Sequence, residues 1–520
     1  MILIIHESAQ KVFQILRNED EIAVHSNDLN SELIRLARKY PKELILWVEK
    51  KYQVHFNISS LGKIFHHDLM MCSFAVENQY LPETIGYIDQ WPFVNPDYKV
   101  SYPTWRMSTD MGGIKGRTLL SFESVFRKNY DFGYNLNSIA KLGQQNGLFC
   151  YSEPRLLQDL QQAGKLNYLS GSKELFRFVR QHYKWPWVFI LSFCFYKYES
   201  TLPFWDLIRS FISSKHFRKN FELDTDNINS EKFKEKTGDT IDVVIPTLGR
   251  PEHLRQVLAD LSAQTHLPKR VIVVEQNPDP FSKTDLPEIR KMQWPFEMKH
   301  IFTHVMGACN ARNIGLDHVT SEWTFLSDDD QRIEPGFLSS VLKEIKKLGA
   351  PGVTTSYLQP DENKKLSKVK QWGTFGAGNS IISSKFASLV RFDTSMEFGY
   401  GEDKDFGMQL RKVGCDIIYH PGLEISHLKA PVGGFRNKEK KPWEERALLP
   451  KPSPTLMAYA KKYFSEEQLS GFKVELFLRY YPKQEIKNPW TYIKTMRRRW
   501  KESEKWAQLL EEKKSRPVKV

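Results

Sequence analysis

Three consecutive carboxylates are the first residues of this chain with an evident chemical use. Asp328, Asp329 and Asp330 directly follow an apolar run at residues 323–326. Carboxylates this close repel one another, and a divalent cation with oxygen ligands, Mg²⁺ or Mn²⁺, is the usual compensation. Alternate residues such as Asp328 and Asp330 project to the same side of an extended chain. The segment therefore predicts a metal site, and a solvated acidic turn is the alternative.

A second acidic group, Glu402 and Asp403, follows two glycines. It precedes a segment with helical apolar spacing at residues 406–413. Acids in the first turn of a helix are favoured by the helix dipole, so simple capping would explain them. A carboxylate held within hydrogen-bond reach of a hydroxyl is also a plausible general base. Both interpretations remain open at this stage.

Two weaker signals lie near these acids. His427 follows a strand-like stretch, and a lone histidine is more often structural than a ligand. Beside an acidic metal site, however, a neutral imidazole is a reasonable metal ligand. Gly378 and Asn379 end a glycine-containing stretch that would allow a bulky substrate to approach closely, or that is only a loop.

The elements that must position these residues alternate between strand and helix. Residues 241–245 and 270–274 are short β-branched runs, and residues 252–263 between them have helical apolar spacing. A further helix is predicted at 311–318 and a further strand at 323–326. This alternation predicts a parallel α/β sheet, whose ligand site lies beyond the carboxyl ends of the strands.

Five short motifs follow one another over about 160 residues, and the ordered set resembles glycosyltransferase family 2. The motifs are Pro246-Thr247-Leu248-Gly249-Arg250, Val273-Val274-Glu275, Asn310-Ala311-Arg312-Asn313-Ile314-Gly315, Asp328-Asp329-Asp330 and Gly401-Glu402-Asp403-Lys404-Asp405. The last motif and His427 also resemble the carboxyl part of galactosyltransferases that share the GT-A fold. The resemblance implies a GT-A catalytic domain with a mostly parallel sheet.

The resemblance also implies roles for individual residues. Its nucleotide-sugar-binding set is Pro246, Thr247, Arg250, Glu275, Arg312, Asp328, Asp329, Gly378 and Asn379. The first four of these would line the uridine pocket, although the family usually has Asp where this chain has Glu275. Asp328, Asp330 and His427 would hold Mn²⁺ or Mg²⁺. Asp403 would act as the base, and Glu402 would contact the acceptor or the donor sugar.

The implied activity is that of an inverting, metal-dependent enzyme. It would move a single sugar from a UDP-sugar, of galactose or N-acetylhexosamine type, to a glycan or lipid-linked glycan acceptor in polysaccharide biosynthesis. The Gln-X-X-Arg-Trp signature of processive synthases is not apparent in the sequence. Two alternatives stay open, an inactive carbohydrate- or nucleotide-binding scaffold and a nucleotidyltransferase of similar fold.

The amino-terminal part of the chain repeats this pattern weakly. Residues 43–51 parallel 322–330, and residues 131–134 parallel 397–400. In the first copy Glu49-Lys50-Lys51 replaces the acidic triplet. We therefore predict that residues 1–165 form a degenerate GT-A-like domain without a metal site; chance similarity is the alternative.

The length of 520 residues suggests ~3 structural units. After the degenerate domain we predict a helical, aromatic linker region at 166–238, the catalytic domain at 239–430 and a basic, mainly helical extension at 431–520. The aromatic run at 185–195 is too short to span a membrane, so it is either a buried helix or an interfacial anchor.

The net charge of +13 lies almost entirely in the extension, where 22 basic residues stand against 11 acidic ones. Its basic and aromatic residues predict either a solvated helix packed on the catalytic domain or peripheral contact with an anionic membrane. A nucleic-acid partner is not expected. The five scattered cysteines and the absence of a basic leader predict a cytoplasmic location, either free or peripheral on the inner face of the membrane.

Overall fold

The computed structural model describes residues 1–162, 164–213, 215–217, 220–233, 238–363, 366–429 and 440–515. The chain divides into two compact units. Unit 1 consists of Met1–Lys232, Val369–Gln371 and Phe464–Glu475; unit 2 consists of Phe233–Lys368, Trp372–Tyr463 and Leu476–Val520. In the described part of the chain, every helix is too short or too polar to cross a bilayer.

Unit 1 is built on a mixed eight-stranded sheet in the order β3-β2-β1-β4-β8-β5-β9-β7. The strands of this sheet are β1 (Ile2–Glu7), β2 (Lys11–Arg17), β3 (Asp20–Glu21), β4 (Leu44–Glu49), β5 (Met70–Phe74), β7 (Tyr102–Pro103), β8 (Met111–Lys115) and β9 (Phe149–Ser152). Strands β6 (Asn78–Gln79) and β10 (Asn167–Tyr168) form a separate two-stranded sheet. Its helices are α1 (Leu29–Lys39), α2 (Leu61–Ile64), α3 (Gly116–Leu120), α4 (Phe132–Gly143), α5 (Ser172–His182), α6 (Pro186–Tyr198) and α7 (Phe204–Ser213).

Helix α1 of unit 1 follows from capping and periodicity. The side chain of Asp28 accepts a hydrogen bond from the Ser31 amide, which begins α1. Leu29, Leu33 and Leu36 then repeat at helical spacing and are buried in the core of the unit. Burial of such an apolar stripe, rather than intrinsic propensity, stabilises a helix of this length.

Unit 2 contains the second large sheet, in which eight strands follow the order β13-β12-β11-β14-β18-β16-β19-β15. The strands of unit 2 along the chain are β11 (Ile241–Thr247), β12 (Arg270–Gln276), β13 (Glu297–Thr303), β14 (Trp323–Ser327), β15 (Gln331–Arg332), β16 (Gly352–Leu358), β18 (Asn379–Ser383) and β19 (Ile418–His427). Strand β17 (Lys370–Gln371) belongs to a segment of unit 1. The helices of unit 2 are α8 (Pro251–Ser262), α9 (Pro287–Lys291), α10 (Ala308–Leu316), α11 (Phe337–Leu348), α12 (Ser384–Ala387), α13 (Glu402–Lys412), α14 (Pro454–Tyr463) and α16 (Pro489–Ser515). Helix α15 (Glu466–Tyr480) begins in unit 1 and ends in unit 2.

The predicted strand–helix alternation is confirmed in unit 2. Strand β11 pairs in parallel with both β12 and β14, and helix α8 connects β11 to β12. Buried Asp242 in β11 accepts hydrogen bonds from the amides of Thr320 and Ser321, which fixes the entry into β14. Since parallel strands end at the same edge of a sheet, Thr247 and Ser327 bring the following loops together. The α/β class and the mostly parallel character of this sheet are as predicted.

The two sheets share a pattern of pairing at their centres. In unit 1, β1–β4 is parallel, β4–β8 and β8–β5 are antiparallel, and β5–β9 is parallel. In unit 2, β11–β14, β14–β18, β18–β16 and β16–β19 follow the same sequence of orientations. Helices α4 and α13 each precede the last of these strands and are followed by a glycine with positive φ, Gly147 and Gly414.

The carboxyl-terminal helix α16 packs against α14 within unit 2. Its buried residues Tyr492, Met496, Trp500, Ser503 and Ala507 repeat every three or four positions. The predicted boundary between residues 430 and 431 lies outside the described residues. The proposed domain limits stay predictions.

Candidate functional site

A cavity of about 330 Å³ lies at the carboxyl ends of β11, β12 and β14 in unit 2. Nine predicted site residues line it: Pro246, Thr247, Arg250, Arg312, Asp328, Asp329, Asp330, Glu402 and His427. The structure therefore brings together residues that are up to about 180 positions apart in the sequence. The topology explains part of this, because the loops after the parallel strands β11 and β14 leave the sheet at the same edge.

Asp328, Asp330 and His427 form a group with metal-ligand geometry. Each offers one ligand atom, and these atoms lie within 4.8 Å of one another. The Nε2 atom of His427 lies 3.5 Å from Oδ1 of Asp330. Among the residues that the structure describes, no other set of three His, Cys, Asp or Glu side chains has this arrangement.

Tyr357, which sequence reasoning missed, holds two members of this group. Its hydroxyl donates a hydrogen bond of 3.0 Å to Oδ2 of Asp328. Its ring stacks on that of His427, with centroids 4.4 Å apart and planes within 10°. Side chains that orient metal ligands in this way commonly tune metal affinity.

Gly378 supplies the space that Asp328 occupies. A Cβ atom at position 378 would lie 2.0 Å from Oδ2 of Asp328, so any larger residue would displace the carboxylate. Two carboxylates and one imidazole, with room for phosphate oxygens and water, suit Mn²⁺ or Mg²⁺. The residues present therefore fit the divalent cation expected from the sequence.

Asp329 plays a different part from its two neighbours. Its Oδ2 accepts a hydrogen bond of 2.7 Å from the Thr247 hydroxyl, and its Oδ1 accepts one of 2.7 Å from Arg250. Arg250 also reaches Oδ2 of Asp330 at 3.2 Å. Burial raises the pKa of Asp329 to about 6, while Arg250 opposes this rise. Asp329 thus holds the acidic loop at residues 328–330 against the end of β11 through hydrogen bonds.

Helix α10 contributes Arg312, which is buried and donates a hydrogen bond of 2.9 Å to Oδ1 of Asp328. The first turn of this helix is capped by Glu397, whose carboxylate accepts from the amides of Cys309 and Asn310, both at 3.1 Å. Gly307 precedes the helix with φ +138°, and a Cβ there would lie 2.3 Å from Glu397. Glu397 lines the cavity and was not predicted.

Glu402 and Asp403 open helix α13 directly after Gly401, which has φ +114°. Burial raises the pKa of Glu402 to about 7, and the neighbouring charge of Asp403 adds to the rise. Burial likewise raises the pKa of Asp403 to about 6, against the lowering effect of Arg312. Within the described ranges, Oε2 of Glu402 has no hydrogen-bond partner. Raised pKa values and an unpartnered oxygen are typical of acid–base sites.

The two acids face different surroundings. Glu402 lines the cavity, whereas the Asp403 carboxylate is partly buried beside it and accepts a long hydrogen bond of 3.4 Å from the Ala377 amide. Two residues further on, Asp405 is fully buried and binds Lys462 at 2.6 Å and Tyr463 at 2.8 Å. Helix α14 therefore fixes the orientation of α13 and of its acidic first turn.

Other predicted residues have partners away from the cavity. The Glu275 carboxylate accepts from Thr284 and Asp285 and lies 2.7 Å from Nε2 of His300, and Gln276 lines the cavity instead. Asn379 donates a hydrogen bond of 2.7 Å to the Thr355 carbonyl. Strand β16, which carries Thr355 and Tyr357, showed no motif that would have revealed them.

The region that forms this cavity matches a known protein family. The model of "Glycosyl transferase family 2" matches residues 242–397, which hold the acidic triplet and most of the cavity lining. The chain carries a family 2 glycosyltransferase domain. The matched residues contain β12 to β18, nearly all of β11, and the loops around the acidic cluster.

A curated relative and several solved structures resemble parts of the chain. The succinoglycan biosynthesis protein ExoM of Rhizobium meliloti (strain 1021) is 27% identical over 201 residues, which are 35% of this chain and 64% of ExoM. Staphylococcus aureus TarS 1–349 in complex with UDP-GlcNAc is 15% identical, with a TM-score of 0.36 and coverage of 47% of this chain and 73% of that one. A longer TarS structure has a TM-score of 0.34, and the match covers 43% of its length. The chain thus spans less than two thirds of ExoM and of the longer TarS.

Proposed function

We propose that this chain is an inverting glycosyltransferase that moves one sugar from a UDP-sugar to a glycan or lipid-linked glycan acceptor. The observation that carries the proposal is the meeting of Asp328, Asp330 and His427 with Glu402 in one cavity of a family 2 domain. A role in polysaccharide biosynthesis is supported by the printed function of ExoM.

The residues around the cavity suit a nucleoside diphosphate. Arg250 and Arg312 supply positive charge at opposite ends of the acidic loop. Pro246 and Thr247, at the end of β11, would lie against the uridine, as in the resemblance described above. Asp328, Asp330 and His427 would hold Mn²⁺ or Mg²⁺, which when bound neutralises charge on the leaving diphosphate.

In the proposed reaction, an acceptor hydroxyl oxygen forms a bond to the anomeric carbon of the donor sugar. The bond between that carbon and the diphosphate oxygen breaks, and its electron pair leaves with UDP. Asp403 takes the hydroxyl proton, since a carboxyl with a pKa of about 6 is mostly ionised near neutral pH and still basic enough to accept it. Glu402 contacts the acceptor or donor sugar. One displacement inverts the anomeric configuration.

A donor panel tests the proposal. The full chain is incubated with UDP-glucose, UDP-galactose, UDP-N-acetylglucosamine and UDP-N-acetylgalactosamine, with Mn²⁺ or with EDTA, and with or without glycan acceptors. We expect UDP release from one donor that requires the cation and rises with acceptor, and a product of inverted configuration by NMR. Absence of UDP release with every donor would contradict the proposal, and pyrophosphate release from UTP and a sugar phosphate would indicate a nucleotidyltransferase.

We also propose that residues 1–165 are a degenerate GT-A-like domain. The shared strand pattern described above supports this. Where unit 2 has its acidic triplet, unit 1 has Glu49, Lys50 and Lys51, which pair with His6, Glu7 and Glu77 respectively. Calorimetric titration with UDP and Mn²⁺ should therefore give one site per chain, abolished by Asp328→Asn. Two sites would contradict the proposal.

The proposed membrane contact of the basic carboxyl terminus rests on α16. Arg497, Arg498 and Lys501 are exposed on α16, whereas Trp500 is buried. Charge reversal at these three positions should weaken sedimentation with phosphatidylglycerol vesicles, and unchanged sedimentation would reject α16 as a membrane contact. The cytoplasmic location stays a prediction.

A further inference from the structure

The exposed apolar side chains of the described chain are concentrated in one place. Of 29 large apolar residues that are exposed, nine fall within residues 185–212, a segment of unit 1. Aromatic residues dominate the group, with Trp185, Phe189 and Phe193 on or beside α6 and Phe204, Trp205 and Phe211 on α7. We call these six side chains the α6–α7 face.

Ring contacts join the two helices within this face. Trp185, Phe189 and Phe193 are four positions apart and therefore form one stripe along α6. The rings of Trp185 and Phe189 have centroids 5.9 Å apart, and those of Phe189 and Phe211 are 5.5 Å apart, which joins the stripe to α7. Trp205 is 68% exposed, so the aromatic surface extends into solvent.

The face is not needed to complete the core of unit 1. The opposite side of α6 carries Val188, Leu191 and Cys194, which are fully buried. Helix α6 is thus apolar on both sides, although only one side packs inside the unit. A contiguous exposed apolar surface of this kind marks an interaction site.

The charges around the face are basic. Lys184, Lys197 and Arg209 are exposed at its edges, and Arg180 lies over the ring of Phe211 at 5.2 Å. Two acids lie nearby: Glu199, which accepts from the Tyr87 hydroxyl, and Asp206, which accepts from the Ser172 hydroxyl. Four basic side chains thus stand against two acidic ones in residues 180–213, a positive balance around the aromatic side chains.

We propose that the α6–α7 face docks the chain on the surface of an anionic lipid bilayer. Tryptophan and phenylalanine would enter the interfacial layer, while Lys184, Lys197 and Arg209 would contact lipid phosphates. A second copy of the chain is disfavoured as the occupant, because a symmetric contact would bring the two basic rims against each other. The proposal is independent of the sugar transfer proposed above.

Co-sedimentation of the full chain with vesicles tests this docking. We compare phosphatidylcholine vesicles with vesicles that contain one quarter phosphatidylglycerol. Wild-type chain should bind the anionic vesicles, and Phe189→Ser combined with Phe193→Ser should weaken binding about tenfold or more. The matched control is Phe281→Ser combined with Leu389→Ser, which removes two exposed apolar side chains of unit 2 and should bind as wild type.

A fluorescent label gives a second measurement. All five native cysteines are buried, so Tyr196→Cys introduces an exposed thiol for an environment-sensitive dye at the edge of the face. The dye should shift to shorter wavelengths on anionic vesicles and remain unchanged on neutral ones. A label at Phe281→Cys should not respond.

The results separate the possible outcomes. Equal binding by the Phe189/Phe193 variant and wild type, or no binding by wild type, would overturn the proposal. A dimer in analytical ultracentrifugation that this variant dissociates, without vesicle binding, would assign the face to a second copy instead. UDP release without vesicles should be the same in wild type and variant, so failure of docking and failure of the proposed enzymatic function are distinguishable.

Discussion

Replacement of Asp403 by asparagine is the most informative single change in this protein. The substitution keeps the shape of the side chain and an oxygen that can accept from the Ala377 amide, 3.4 Å away in the native chain. It removes the negative charge and the capacity to accept a proton. We therefore expect opposite effects on turnover and on stability.

The size of the stability effect follows from the raised pKa. Burial raises the pKa of Asp403 to about 6, against about 4 in an unfolded chain. Well below pH 4 the carboxyl is protonated in both states. Between about pH 4 and 6 the unfolded chain releases the proton first, so the cost to folding grows over this range and is constant above it. A difference of about 2 in pKa corresponds to ~3 kcal/mol at pH 8 and to about half that at pH 5. The asparagine side chain of the variant carries no charge at either pH.

Two assays follow from this reasoning. Thermal unfolding in EDTA should show the Asp403→Asn variant more stable than wild type by about 6–12 °C at pH 8 for a unit of this size, and by about half as much at pH 5. UDP release in the presence of acceptor should fall about 10²–10⁴-fold, while UDP affinity stays nearly unchanged. In wild type, kcat/KM should rise with pH through about 6.

The control is Asp361→Asn, which removes an exposed carboxylate of the same unit and should alter neither property. If the Asp403→Asn variant kept more than a tenth of the wild-type turnover, Asp403 would not be the base. If Glu402→Gln then abolished turnover, the base would be Glu402, which lines the cavity and has a pKa raised to about 7. If the Asp403→Asn variant gained the same stability at pH 5 and at pH 8, the free-energy cost assigned to burial of the Asp403 carboxylate would be wrong.

Three further predictions concern the surroundings of the site. Gly378→Ala should reduce cation affinity and cation-dependent turnover about 10–100-fold, because the new Cβ would displace Asp328; metal titration by calorimetry measures this. Tyr357→Phe, which removes only the hydrogen bond to Asp328, should raise the half-saturating Mn²⁺ concentration about tenfold without altering the fold by circular dichroism; unchanged Mn²⁺ dependence would contradict the role of the hydroxyl. Trp500→Ala should destabilise unit 2 by about 3–5 kcal/mol in urea, whereas exposed Trp490→Ala should have little effect.

The sequence predicted best those features that depend on local pattern. The β-branched runs of β11 and β12 and the apolar spacing of α8 are decided by residues within one element, and the structure places all three as expected. Helix α10 begins at Ala308, three residues earlier than predicted, because Gly307 and the Glu397 cap start it. The cap comes from a residue 88 positions away and could not be seen locally.

The site was less predictable where neighbouring strands supply partners. Glu275 matched a motif position, but the register of β12 and β13 brings His300 within 2.7 Å of its carboxylate. Tyr357 is one polar residue in an otherwise ordinary strand, and only the pairing of β16 with β19 puts it beside His427. Such contacts depend on which strands pair and in which register, and the spacing of residues along the sequence does not reveal that pairing.

The attachment of α13 through Asp405 has a consequence for how the chain becomes active during synthesis. The first turn that bears Glu402 and Asp403 is held by Lys462 and Tyr463, and α14 is in turn covered by α16. A nascent chain that has just completed its family 2 motifs therefore still lacks the support for its acidic turn. For the transfer proposed above, we therefore expect competence to appear late in translation, after α16 has left the ribosome.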